Sequence, residues 1–144
     1  MPRILDYYGA READCERISN LISQATGLAF DHRENSFIGA YYKATGAERG
    51  QEVVVLSNEL EDEDGISLRW PEWAHYKTIV NSMDKRVRDG GATESPSAFI
   101  DDLRDKLGTV ADLTFLRRYR ASRIAGSGQP VDPGAERPPG TRAR

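Results

Sequence analysis

The chain contains a single cysteine, Cys15, and only two histidines, His32 and His75. One thiol excludes an intramolecular disulfide framework and a four-cysteine zinc site, and it fits a reducing, cytoplasmic setting. No apolar run approaches the roughly 18 residues of a membrane span. The opening Met-Pro-Arg-Ile-Leu-Asp-Tyr-Tyr also lacks the apolar stretch of a secretory signal, so neither insertion nor export is expected. The sequence has no G-x-S-x-G elbow, no Walker loop and no G-x-G-x-x-G fingerprint, and no reaction class is suggested. The calcium-loop pattern D-x-D-x-D-G with a glutamate at its twelfth position is missing as well. No cofactor and no metal are expected.

What is present is enough chain, 144 residues, for one domain with its own core. Hydrophobic residues make up 38% and charged residues 30%, a polar balance that places part of the length outside the core. The break falls near residue 122, where Gly126-Ser127-Gly128-Gln129-Pro130 opens a stretch that runs on through Pro138-Pro139-Gly140. Such composition cannot repay the entropy of ordering. The reading is therefore a single domain over 1–121 and a disordered Gly/Pro/Arg-rich tail over 122–144. The tail holds four arginines against Asp132 and Glu136, a net of +2, so the chain's −3 leaves −5 on the domain. An acidic domain disfavours nucleic acid and favours a partner protein with a basic surface.

Spacing predicts a first helix over 11–26, with Cys15, Ile18, Leu21, Ile22 and Ala25 on one stripe and Gly27 as its stop. In that stripe Cys15 reads as a small buried hydrophobe. Two β-like runs follow, Leu28 to Arg33 and Ser36 to Ala44, joined by Glu34-Asn35, and then a third over Glu52 to Ser57. Asn58 to Gly65 reads as a charged loop. Ile66 to Leu68 and His75 to Met83 supply a fourth strand, and Val87 to Glu94 a second loop. A second helix is expected from the N-cap Ser95 and Pro96, with Phe99, Ile100, Leu103 and Leu107 inward and Gly108 at its end. Leu113 to Tyr119 closes the chain as a strand. The expected fold is α+β and two-layered: a four- or five-stranded, mainly antiparallel sheet with two helices on one face, in the order α-β-β-β-β-α-β.

The strongest compositional anomaly is the run Glu59, Glu61, Asp62, Glu63, Asp64, five carboxylates in six residues. It can be a solvated spacer that guards a strand edge, or a field that steers a basic partner, raising association roughly 10–10³-fold in favourable cases. Aromatic residues offer a second surface. Strand alternation sends Tyr41 and Tyr42 to opposite faces, so that Tyr42, with Trp70 and Trp73 nearby in sequence, can anchor a partner or fill the domain's own core. His32 and Glu34, two apart on a strand, share a face, and with His75 they can line a ligand or enzyme cleft. Arg117, Arg118, Arg120 and Arg123 can hold phosphates or anionic lipid, but with the domain acidic elsewhere they read more simply as a solvated strand end running into the tail.

The segment Gly27-Leu-Ala-Phe-Asp-His-Arg-Glu-Asn-Ser-Phe-Ile-Gly-Ala-Tyr-Tyr42 resembles small actinobacterial proteins, some of which look like immunity proteins of toxin systems. The shared order is a helix, a glycine, a phenylalanine, then histidine, glutamate and serine, an aromatic, and a glycine before tyrosines. Here Arg33 separates the histidine from the glutamate, and Asn35 separates the glutamate from the serine. The resemblance implies an inhibitor that binds and neutralises another protein, and it carries no catalytic residues; joined to the residue reading, the expectation is an inhibitor acting through the acidic run and an exposed sheet face. The rival expectation is a small enzyme or ligand-binding domain built on His32, Glu34 and His75. The two readings separate on whether those three polar groups converge in a concave site.

Overall fold

The computed structural model describes residues 3–36, 39–85 and 97–121. Along the chain come β1 (Arg3–Ala10), α1 (Cys15–Thr26), β2 (Asp31–Asn35), β3 (Gly39–Thr45), β4 (Gln51–Ser57), β5 (Glu59–Asp62), β6 (Gly65–Leu68), a short 3-10 turn (Pro71–Trp73), β7 (Thr78–Asp84), α2 (Ala98–Leu107) and β8 (Thr114–Ala121). Six strands form one sheet in the order β2-β3-β4-β7-β1-β8, while β5 and β6 form a two-stranded sheet of their own. Every pairing is antiparallel.

The α+β class and the antiparallel sheet with two helices agree with the sequence reading, but the strand count and order do not. The chain opens with a strand rather than a helix, and that strand lies between β7 and β8. Asp6 interrupts its apolar pattern, yet Asp6 is fully buried. Its carboxylate accepts from Arg118 Nε at 2.7 Å and from Nη2 at 3.0 Å, a bidentate geometry that offsets the desolvation of the charge. Arg118 is thus a buried-pair partner and not part of a solvated strand end. The Asp6 and Asp101 carboxylates raise its pKa.

Other boundaries shift for local reasons. Leu28 and Phe30 pack partly buried against the core instead of pairing, so β2 starts at Asp31, and the expected Glu34-Asn35 turn is itself paired strand, with Asn35 opposite Gly39. The second helix is capped by Ser97, whose Oγ accepts from Ile100 N–H at 3.0 Å and donates to Asp84 of β7 at 2.9 Å. That anchor across the sheet fixes the start of α2 two residues later than Ser95. The expected loop over 87–94, the Ser95-Pro96 start and the tail over 122–144 lie outside the described residues.

The core follows from alternation. Tyr8 and Ala10 of β1, Val53 and Val55 of β4 and Val80 of β7 face the helices, where Ile18 and Ile22 of α1 meet Leu103 and Leu107 of α2. Leu21 and Phe99 border that cluster partly buried. Asp14 caps α1 through the Arg17 N–H, and Gly27 ends it in the left-handed conformation, φ 82°. The opposite face carries Leu56 and Ile79, over which Trp70, Trp73 and Tyr76 fold back with Tyr7, Tyr41, Val54 and Leu116.

Candidate functional site

The acidic run is not a loop. Glu59 to Asp62 pair with Gly65 to Leu68 in register, Glu61 opposite Ile66 and Asp62 opposite Gly65, so Glu63-Asp64 is a two-residue turn. Gly65, at φ 119°, supplies the backbone conformation that the hairpin requires there. A hairpin suits such a sequence because the backbone groups pair while Glu61, Glu63 and Asp64 stay exposed.

Its base is clamped by Asn58, which is fully buried. The side-chain Nδ2 donates to the carbonyls of Trp70 (3.3 Å), Trp73 (3.1 Å) and Tyr76 (3.0 Å). Its Oδ1 accepts from Trp70 N–H at 2.8 Å. The backbone of Asn58 adds bonds to Lys77 and Arg69, and Arg69 Nε donates to the Ser57 carbonyl at 2.9 Å. Burial lowers the pKa of the Arg69 guanidinium. One side chain therefore ties both ends of the hairpin to the aromatic turn beyond it.

Of the acidic residues, Glu59 is half-buried and meets Lys77 Nζ at 3.1 Å. Glu61, Glu63 and Asp64 are exposed, and Asp62 stands on β5. Ile66 is 65% exposed and is the one exposed large hydrophobic side chain among the described residues. Cross-strand partners share a face of the ladder, which sets Ile66 beside Glu61. The hairpin thus presents an apolar side chain beside the Glu61 carboxylate, one strand step from the acidic turn Glu63-Asp64.

Trp70 is buried, 9% exposed, and lies edge-on to Tyr7 at 5.7 Å and stacked with Trp73 at 6.0 Å. Trp73 is half-buried and also leans on Tyr7 at 5.3 Å. Burial pushes the Tyr7 hydroxyl well above its ordinary pKa, with Tyr119 adding to the effect. Tyr42 packs with the helix-side core and meets His32 edge-on at 5.1 Å. The sheet therefore separates Tyr42 from Trp70 and Trp73, and only the two tryptophans share a surface with one another.

His32 and Glu34 lie exposed on the edge strand β2, and His75 lies exposed in the turn that leads into β7. Among the described residues no group of three or more His, Cys, Asp or Glu side chains could hold a metal. Cys15 is half-buried at the start of α1, and burial raises its thiol pKa, the direction of an unreactive thiol.

A feature that sequence reasoning missed is a half-open cleft of about 370 Å³ at the end of β1, lined by Arg11, Glu12, Tyr76, Asp112 and Thr114. Arg17 spans its acidic wall, with Nη1 donating to Glu12 Oε1 and to Asp112 Oδ2. The lining residues come from three separate parts of the chain, and no spacing announces them. Asn58 had a faint signal, since an asparagine between a β-branched run and a charged run is a turn former.

No protein-family model matches the chain, and the search of curated proteins found no match. Among the described residues no helix is long and apolar enough to cross a membrane.

Proposed function

We propose that the chain is a protein-binding module, an inhibitor of the immunity or antitoxin kind, that seats a basic partner protein on the β5–β6 hairpin. The observation that carries this reading is Ile66, exposed beside Glu61 on a hairpin whose base Asn58 holds rigid. A lone isoleucine in water gains about 1.5–3 kcal/mol when fully covered, and the carboxylates of Glu61 and of the Glu63-Asp64 turn steer a basic surface to the hairpin. An apolar anchor inside a polar rim is the arrangement that concentrates binding energy in protein interfaces. The rigid base limits the ordering cost on association. Trp73, half-buried beside the hairpin's root, extends the same surface.

The test begins with the basic protein that co-purifies from the host at low salt. Association and dissociation rates are then measured for the wild type, for the variant Glu61→Gln/Asp62→Asn/Glu63→Gln/Asp64→Asn, and for Ile66→Ala. Glu59 is left in place because it holds Lys77. The charge variant is expected to associate at least about tenfold more slowly, with a flattened salt dependence. Ile66→Ala is expected to dissociate about tenfold faster, the usual scale for a lost apolar anchor. A partner whose rates ignore both variants binds elsewhere and refutes the proposal.

A further inference from the structure

We propose that the cleft at the end of β1 is a binding site for a small zwitterion, an α-amino acid or a dipeptide with small side chains. This inference does not rest on the hairpin or on any protein partner.

The first support is the division of charge. Arg11 lines the cleft and makes no ion pair or hydrogen bond with another described residue. Tyr76 and Thr114 also line it, and their hydroxyls are likewise unengaged by described residues. A guanidinium and two hydroxyls are the donor set that a carboxylate accepts from. Glu12 and Asp112 belong to the same lining. Arg17 takes one oxygen of each, Glu12 Oε1 and Asp112 Oδ2, the latter at 3.0 Å. The second oxygen of each carboxylate stays available to accept from an ammonium group. Arg11 thus shares one lining with Glu12 and Asp112, so both signs of charge border the cleft. A simple anion would leave the acidic wall unmatched, and a simple cation would leave Arg11 unmatched. A ligand carrying both poles matches both.

The second support is that the walls are already fixed. Thr78 Oγ1 donates to the Glu12 carbonyl at 2.6 Å, and the Lys77 N–H donates to the Ala10 carbonyl at 2.9 Å. The Tyr76 ring lies so close over Gly9 that a Cβ there would come within 2.5 Å of it. Glycine at position 9 therefore lets the ring settle onto β1 and serve as the cleft's side. Walls held in this way cost little to order when a ligand enters. The volume, about 370 Å³, lies at the small end of the roughly 300–1,000 Å³ range of ligand pockets. Ala111 and Tyr76 add apolar surface to the lining that suits a short apolar side chain.

The test is isothermal titration of the full chain with alanine and with alanyl-alanine, against acetate, methylammonium, N-acetylated alanyl-alanine and alanyl-alanine amide. One of the two zwitterions is expected to bind at least about tenfold more tightly than any of the four single-pole controls, since each control forfeits one charge-assisted contact. Arg11→Ala, an exposed position whose loss leaves folding intact, is expected to weaken the better zwitterion by about tenfold or more. Tyr76→Phe keeps the ring on Gly9, removes only the hydroxyl, and is expected to weaken binding several-fold. Unfolding midpoints of both variants in urea, matching the wild type, show that the losses belong to the site. Acetate binding as tightly as the zwitterions would make this an anion site and overturn the proposal. No heat from either zwitterion up to about 10 mM, or affinities that Arg11→Ala leaves unchanged, would overturn it equally.

Discussion

Replacing Asn58 by aspartate changes almost no volume and reverses the polarity of one end of the side chain. In the native protein Nδ2 serves three carbonyl oxygens at 3.0–3.3 Å while Oδ1 accepts from Trp70. Once ionised, the introduced carboxylate would aim an oxygen at those same carbonyls inside a fully buried site. Protonated, it keeps one O–H and can still serve one of them. Folding therefore raises the pKa of the new carboxyl above its unfolded value of about 3.9. The unfolded chain then binds fewer protons than the folded one over the interval between the two pKa values, so stability falls as pH rises through it, by about 1.4 kcal/mol per pH unit. Below that interval the variant suffers only the loss of donors to two carbonyls, about 1–3 kcal/mol for each buried group left unsatisfied. At pH 7 the pH-dependent part reaches about 4 kcal/mol if the folded pKa lies above 7. The measurement is the difference in urea-unfolding free energy between Asn58→Asp and wild type at several pH values from 4 to 7, with Asn58→Ala as a control whose difference should stay flat. An Asn58→Asp variant whose difference from wild type is equally flat would mean that the amide does not donate into those carbonyls, and the clamp would be refuted.

Two further perturbations test the frame around the site. Arg118→Met strands the buried Asp6 carboxylate and should cost about 3–5 kcal/mol, whereas the double change with Asp6→Leu should recover much of that loss. Additive losses in chemical denaturation would show that the pair is not coupled. Leu103→Ala opens a cavity between α2 and the sheet and should lower stability by about 2–5 kcal/mol; an unchanged denaturation midpoint would put that helix face in solvent.

The parts of the fold that could be read from the sequence were those fixed by near neighbours. Ile18 and Ile22 mark α1 by their spacing, Gly27 ends it, and Val53 to Val55 mark a strand with no long-range information. What escaped was set by distant partners. β1 is legible as a strand only once Arg118, 112 residues away in sequence, is known to neutralise Asp6. The start of α2 depends on Asp84 in β7. At the candidate site the carboxylates and Trp73 were visible as types, but their order as a hairpin hangs on Asn58 reaching carbonyls up to 18 residues ahead. Trp70, expected as a candidate contact residue, spends its ring on Tyr7 and Trp73 instead. The cleft was invisible because its lining side chains meet only when β1, β7 and the turn before β8 are in place.

The placement of β1 has a consequence for how the protein is made. The first strand of this sheet to be synthesised is flanked in the finished sheet by β7 and β8, the last two strands of that sheet to be made. Synthesis proceeds at about 5–20 residues per second, so for several seconds the β2-β3-β4 meander can pair while β1 has neither neighbour. Sheet closure is therefore a late event that joins the two ends of the domain, and its non-local pairing makes it slow. During that interval β1 exposes both edges together with Ile4 and Tyr8, side chains that the finished domain buries. A chain halted before β8 keeps one edge of β1 open, which makes truncated products of this protein natural substrates for chaperones or for strand exchange between copies.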